Sequence, residues 1–341
     1  MARGPGGQET EVRAVCHTEL VKHCDAVWTD AAGNLIGLIR EQHRESSVPP
    51  IKSVQVMAHL DEIAMIVKRV EANGTLRVVA LGGANPVNFG MCPVDILAED
   101  KVLPGVLSFG SMHATRESPQ GKDVQDGAVS WQDVHVITRL GVEELRLAGV
   151  RPGTRVVLSR HWRAPWKVND AIAAHFLDDR APVAAALEAA ALVASRKREL
   201  RCDVYFVFTT MEEESQAGAM YAARTLPCDI TVALEVGPVL EEYGTELRVA
   251  PIISTGDMKA YYTRTIAERL QRAAERCGYS PQFALLVDFS SDASAVLASG
   301  ISAQTGCLAI PTENTHGYEV ILADGITACA RTLVEFLADS E

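Results

Sequence analysis

The chain has 341 residues, 48% hydrophobic and 22% charged, enough to bury one large core or two unequal ones. Its formal net charge of −12 and its lack of a long Lys/Arg run exclude a nucleic-acid role, which needs a basic patch. Its longest apolar stretch, residues 181–194, is broken by Glu188 and falls short of the roughly 20 residues that span a bilayer, so no membrane insertion is expected.

In chain order, a polar helical stretch over residues 9–23 leads to a hairpin over 26–39, turning at Ala31-Ala32-Gly33-Asn34. A strand over 54–58 then ends at His59. Segments 63–69 and 75–81 flank Asn73-Gly74, the preferred dipeptide of a tight hairpin. From Gly82 the texture changes. Residues 84–165 hold short β-like runs, Pro86, Pro93, Pro104, Pro119 and Pro152, and a polar loop from Glu117 to Gly127. They read as a small β-rich insertion, which splits the remainder into a discontinuous α/β domain of residues 1–83 and 166–341. After Asn169, helices over 179–198, 215–225, 259–277, 292–299 and 323–338 alternate with strands over 204–210, 230–236, 282–287 and 302–310. Alternation of this kind predicts a largely parallel sheet sandwiched by helices.

The eight cysteines include no Cys-x-x-Cys pair, so neither a zinc ribbon nor a redox pair is indicated. The first eight residues hold no apolar core of a signal peptide. Both features point to buried thiols in a reducing compartment, and a cytoplasmic location is expected.

Five short stretches place a hard ligand at or just beyond an apolar run. His59 and Asp61 follow Val54-Gln55-Val56-Met57, and Asp178-Asp179 opens an Ala-rich helix. Glu212-Glu213-Glu214 follows Val204 to Phe208, Glu235 ends Ile230 to Leu234, and His316 follows Ala303 to Ile310. Taken singly, each has an ordinary reading: Asp at a helix N-cap, an acidic triplet in solvent, a polar loop His. In series they form an oxygen/nitrogen set without thiolate, suited to two divalent ions bridged by a carboxylate. Most sit at the carboxyl ends of strands, where open α/β sheets bind ligands. Glu235 would be costly to bury without a partner, and Glu214 reads as solvated.

Ala58-His59-Leu60-Asp61-Glu62-Ile63, Leu177-Asp178-Asp179-Arg180, Glu212-Glu213, Ala233-Leu234-Glu235-Val236 and Thr315-His316 together resemble the M42 family of dinuclear metallo-aminopeptidases. That family includes glutamyl and deblocking aminopeptidases that assemble as tetrahedral particles. The resemblance implies that Asp178 bridges two metal ions, with His59 and Glu235 completing one site and Glu213 and His316 the other. It implies Glu212 as general base, Asp61 as the group orienting His59, and a cis Asp178–Asp179 peptide. Glu235 stands where the family usually carries Asp. The expected cofactors are two zinc ions, with cobalt or manganese as alternatives. The expected substrates are peptides with a free amino terminus, and the expected assembly is a homo-oligomer, dimer to dodecamer, built through the β-rich insertion. Two other functions fit the same residues: a dinuclear deacylase of small N-acyl or amide substrates, and a non-catalytic metal-binding assembly protein.

Overall fold

A computed structural model describes residues 1–42, 53–111, 113, 115, 117 and 127–339. Of the polar loop over 117–127, all but its two end residues lie outside the described residues. The main sheet has eight strands, in spatial order Ala26–Thr29, Leu35–Ile39, Val204–Thr209, Ser53–His59, Cys228–Pro238, Gln304–Thr312, Ile252–Asp257 and Gln282–Leu286. The four central strands, from Val204–Thr209 to Gln304–Thr312, run parallel, and an antiparallel pairing flanks them on each side. The parallel expectation therefore holds for the centre of the sheet, and the whole is mixed.

Strand side chains alternate between faces, and the two cores follow from that alternation. Val54, Val56, Ala58, Val204, Phe206 and Phe208 belong to one buried cluster. Their chain neighbours Met57, Tyr205 and Val207 belong to another, on the opposite face. Helices Leu177–Ser195 and Asp324–Ala338 cover the first face, where Ala185, Ala186, Ala189 and Ala190 are small enough for a helix to lie close on the sheet. Helices Ala217–Thr225 and Asp292–Ala298 cover the second.

A closed six-stranded barrel, in the order Ala64–Val70, Leu76–Leu81, His135–Ile137, Val102–Ser108, Pro93–Leu97 and Arg155–Leu158, has its own core. The hairpin over 64–81 forms as the sequence predicts, with Gly74 at φ +80° in its turn. Its sheet membership differs from the sequence reading, however. Met65 pairs with Val156, so the β-rich unit starts at Ala64 and not at residue 84. Two further elements escaped the sequence reading: strand Ile252–Asp257, and a three-stranded sheet of Trp166–Val168, Ala171–His175 and Tyr318–Leu322. Antiparallel pairing of His175 with Tyr318 brings Asp178, just after the one strand, and His316, just before the other, to the same end of this small sheet.

Candidate active site

Parallel pairing brings the carboxyl ends of the central strands to one edge of the sheet, which is where His59, Glu212, Glu235 and His316 emerge. Asp178 meets them from the start of its helix. His59 Nε2 lies 2.9 Å from Asp178 Oδ1 and 4.0 Å from Glu235 Oε2. His316 Nε2 lies 3.4 Å from Asp178 Oδ2 and 3.5 Å from Glu213 Oε2. Asp178 thus turns one oxygen to each imidazole. Two ligand groups share it: His59, Asp178, Asp179 and Glu235 on one side, Asp178, Glu213 and His316 on the other, with ligand atoms within 4.8 Å of one another in each group. The Asp178–Asp179 peptide is cis.

Backbone carbonyls face the second nitrogen of each ring. His59 Nδ1 is 3.2 Å from the Asp61 carbonyl oxygen, and His316 Nδ1 is 2.7 Å from that of Gly83. A Cβ at Gly83 would sit 3.3 Å from the His316 ring, so glycine permits this approach. With Nδ1 donating to these carbonyls, each Nε2 is left free to bind a cation. The Asp61 carboxylate acts differently from the sequence expectation. It stands 3.7 Å from His59 Nδ1, beyond a hydrogen bond, and instead accepts the backbone N–H groups of Glu212 and Glu213 at 2.9 and 3.0 Å. The carbonyl of Asp61 thus orients His59, and its side chain holds the turn that carries the two glutamates. Glu214 is exposed, as expected.

Several site residues were missed in the sequence. Buried Glu319 accepts the N–H of Asp178 at 3.0 Å and of His316 at 2.9 Å, tying the two ligand segments together. Its signal was the one used for Glu235, a charge inside an apolar strand, Tyr318-Glu319-Val320-Ile321-Leu322. Asp179, already singled out in the sequence beside Asp178, accepts the His59 N–H at 2.7 Å. Gln216 donates to Glu212 Oε1 at 2.7 Å and accepts a hydrogen bond from Lys259 Nζ. Such amide contacts leave no trace in residue type or spacing. Phe176, Met211, Gln216 and His316 all hold positive φ, from 50° to 66°, an uncommon backbone region for side-chain-bearing residues. Gln216 and His316 line the cavity, and Phe176 and Met211 stand within two residues of Asp178 and Glu212, so the surrounding packing compensates the strain beside the ligand groups.

The electrostatics are those of a site short of positive charge. Burial pushes the carboxyls of Glu212, Glu235 and Asp179 well above their usual range, those of Glu213 and Asp292 up to about 7, and that of Glu319 up to about 8. Burial would lower both imidazoles. Asp179, Asp178 and Asp61 nevertheless hold His59 well above its ordinary value, and Glu213 and Asp178 push His316 up to about 11. Against the effect of burial, hydrogen bonds from His316 and His59 hold Asp178 below the usual carboxylate range. Two carboxylate oxygens, Asp179 Oδ1 and Glu213 Oε1, are buried with no hydrogen-bond partner. Unpaired buried acids are costly, and cations at the two ligand groups would satisfy them. The oxygen/nitrogen donor set fits divalent metals of the zinc, cobalt and manganese type. These groups floor a cavity of about 590 Å³, walled by the Gly83–Asn88 segment on the barrel side and by strand-end loops on the other.

The profile of the M42 glutamyl aminopeptidase family matches residues 33–332. A lysyl aminopeptidase of Pyrococcus furiosus is 27% identical over 315 residues, covering 88% of this chain and 82% of the relative. Among solved structures, an aminopeptidase from the archaeon Desulfurococcus kamchatkensis superposes with a TM-score of 0.86 at 22% identity, covering 99% of this chain and 92% of its own. The TET1 peptidase of Pyrococcus horikoshii, which can assemble into a tetrahedron or a large octahedral shell, gives 0.84 at 24% identity, covering 99% and 96%. At these identities the two structures speak for the fold.

Proposed function

The chain belongs to the M42 glutamyl aminopeptidase family and is a peptide hydrolase of the aminopeptidase class, and we propose that it removes amino-terminal residues through a two-metal centre with Glu212 as general base. The observation that carries this reading is Asp178, which offers one oxygen to each of two histidine-carboxylate groups. His59, Asp178 and Glu235 would hold one ion, and Asp178, Glu213 and His316 the other. When bound, such ions supply Lewis acidity, polarising a carbonyl and acidifying water. Zinc is the proposed metal, with cobalt or manganese accepted by the same donors.

The residues of the chain do the rest. Glu212 lies in the same cavity and is not needed as a ligand. Gln216 occupies its Oε1, leaving the other oxygen to take a proton from the attacking water and return it to the leaving amine. Burial raises the proton affinity of Glu212, which suits a base that must hold that proton between the two steps. The Asp61 carboxylate fixes the backbone of Glu212 and Glu213, so base and ligand move as one unit.

The chain is further proposed to form a homo-oligomer, between a dimer and a dodecamer, with the barrel as an assembly module. Exposed apolar side chains support this: Val87 and Leu147 in the barrel unit, and Phe283, Leu285 and Val287 along the edge strand. Among the described residues no helix is long and apolar enough to cross a membrane, and all eight cysteines are free thiols. The free thiols support the proposed cytoplasmic location.

The test is hydrolysis of a panel of free-amine and N-blocked peptides by metal-loaded and chelated protein. Metal-dependent cleavage of free-amine substrates is expected. Preference for N-blocked substrates would replace this reading with a deacylase, and full activity in protein shown to be metal-free would end it.

A further inference from the structure

Glu212 is the first of three side chains bonded in series. Gln216 Nε2 donates to Glu212 Oε1 at 2.7 Å and to Ser290 Oγ at 3.2 Å, and Gln216 Oε1 accepts from Lys259 Nζ. Gln216 is buried and lines the cavity, whereas Lys259 is exposed and does not line it. Among the described residues, the Lys259 ammonium makes no ion pair, and Gln216 is its one hydrogen-bond partner. The loop that carries Lys259, just after strand Ile252–Asp257, is fixed through its backbone. Asp257 Oδ1 accepts the N–H groups of Lys259 at 2.9 Å and of Ala260 at 3.2 Å, and Asp257 Oδ2 accepts the Tyr262 hydroxyl at 2.7 Å. The Met258 N–H donates to the Phe289 carbonyl at 3.0 Å.

The chemistry of the three groups gives this series one direction. An ammonium only donates, so Gln216 must turn its carbonyl oxygen to Lys259. Its N–H₂ group then faces Glu212, whose Oε1 accepts whether or not the other oxygen carries a proton. Ser290 does not fix the sense of the amide, because a hydroxyl donates and accepts equally well. Without Lys259 the amide is therefore free to turn over and set its oxygen against the Glu212 carboxylate. The Gln216 backbone is an independent sign of constraint. Its φ of 50° lies in a region that side-chain-bearing residues rarely adopt, and here the side chain is bonded at both ends.

We propose that Lys259 and Gln216 are positioning residues for the hydrolysis: Lys259 locks the amide of Gln216, and the amide holds Glu212 Oε1 so that the other carboxylate oxygen faces the attacking water. The assignment rests on Glu212 as general base, proposed above, and adds how a residue on a neighbouring loop sets its orientation. Both residues act through Glu212. Removing Gln216 costs a hydrogen bond to a charged group, a roughly 10- to 150-fold loss of kcat when it is felt entirely in the transition state. Lys259 contributes one hydrogen bond at the exposed end of the series, and its removal costs roughly 2- to 10-fold.

The experiment measures kcat, KM and metal content of the metal-loaded protein on one free-amine substrate, for Lys259→Met, Gln216→Leu and the double variant. Lys259→Met should lower kcat by roughly 2- to 10-fold with KM and both metals as in the wild type, since Lys259 is exposed and belongs to neither ligand group. In the Gln216→Leu background the same substitution should cost nothing further, because the bond that Lys259 fixes is already gone. The comparison is repeated in the Glu212→Gln background, where no base remains to be positioned, and there too Lys259→Met should have no effect. That arm keeps the test decisive if Gln216→Leu folds poorly. An unchanged kcat in Lys259→Met, a rise in KM in place of the fall in kcat, or an equal loss in every background would overturn the positioning assignment. Full activity of Glu212→Gln would remove the base itself, and the assignment with it. A severe loss in Glu212→Gln beside a fully active Lys259→Met would remove the assignment alone.

Discussion

Replacing Asp61 with asparagine tests the structure at one atom. In the wild type its two carboxylate oxygens each accept a backbone N–H, from Glu212 at 2.9 Å and from Glu213 at 3.0 Å, in fully buried surroundings. An asparagine keeps one acceptor oxygen and turns an N–H₂ group toward the other N–H. One buried donor is left unpaired and faces a second donor, at a cost of roughly 1–3 kcal/mol. The turn can relieve that cost only by moving, and Glu212 and Glu213 move with it. If the displacement is felt in the transition state, 1–3 kcal/mol corresponds to a roughly 5- to 150-fold loss of kcat. Both metals should stay, because the Asp61 side chain belongs to neither ligand group. The assay is kcat on a free-amine substrate beside metal content by elemental analysis. A kcat within twofold of wild type would refute the argument. Loss of a metal would place Asp61 among the ligands instead.

Glu212→Gln should keep both metals while kcat falls by roughly 10²–10⁴-fold, whereas Glu213→Gln and His316→Ala should each weaken one metal along with activity; elemental analysis showing the reverse order would exchange the roles of the two glutamates. Arg163 and Glu62 are both fully buried and joined through two hydrogen bonds, and Arg180 is the second cation on Glu62, so Arg163→Met should leave Glu62 Oε1 without its partner and lower stability by roughly 1–3 kcal/mol, read as a drop in denaturation midpoint. His175 is buried against Phe176 and Tyr318, and burial lowers its pKa from 6.5. The unfolded chain therefore binds this proton more readily than the folded one. Stability is complete above about pH 6.5 and is lost as pH falls through the folded pKa. His175→Phe should shrink the Tm difference between pH 7.5 and 5.5, and an unchanged difference would show that His175 does not contribute to it.

The alternation of apolar and polar residues was enough to locate the central parallel strands and the helices on both faces, because burial of one strand face is a local requirement with a period of two. It was enough, too, to mark His59, Glu212, Glu213, Glu235 and His316 as candidate ligands and base, since each stands at or beyond the end of an apolar run, where a polar group would otherwise lack a reason to be. What sequence could not decide depends on partners distant in the chain. The barrel takes in the hairpin over 64–81 because Met65 meets Val156, a pairing that no local pattern records. Strand Ile252–Asp257 has a register irregularity between Ser254 and Gly256 that breaks its alternation. The Asp61 carboxylate looked like a partner for the histidine two residues away, yet two backbone donors some 150 positions later in the chain lie closer and claim both its oxygens. Glu319 joins Asp178 to His316 across the small sheet, through a register that exists only once strands Ala171–His175 and Tyr318–Leu322 have paired. Residue type and spacing carry the donors of a site; which donor faces which acceptor is set by the long-range pairing that folds them together.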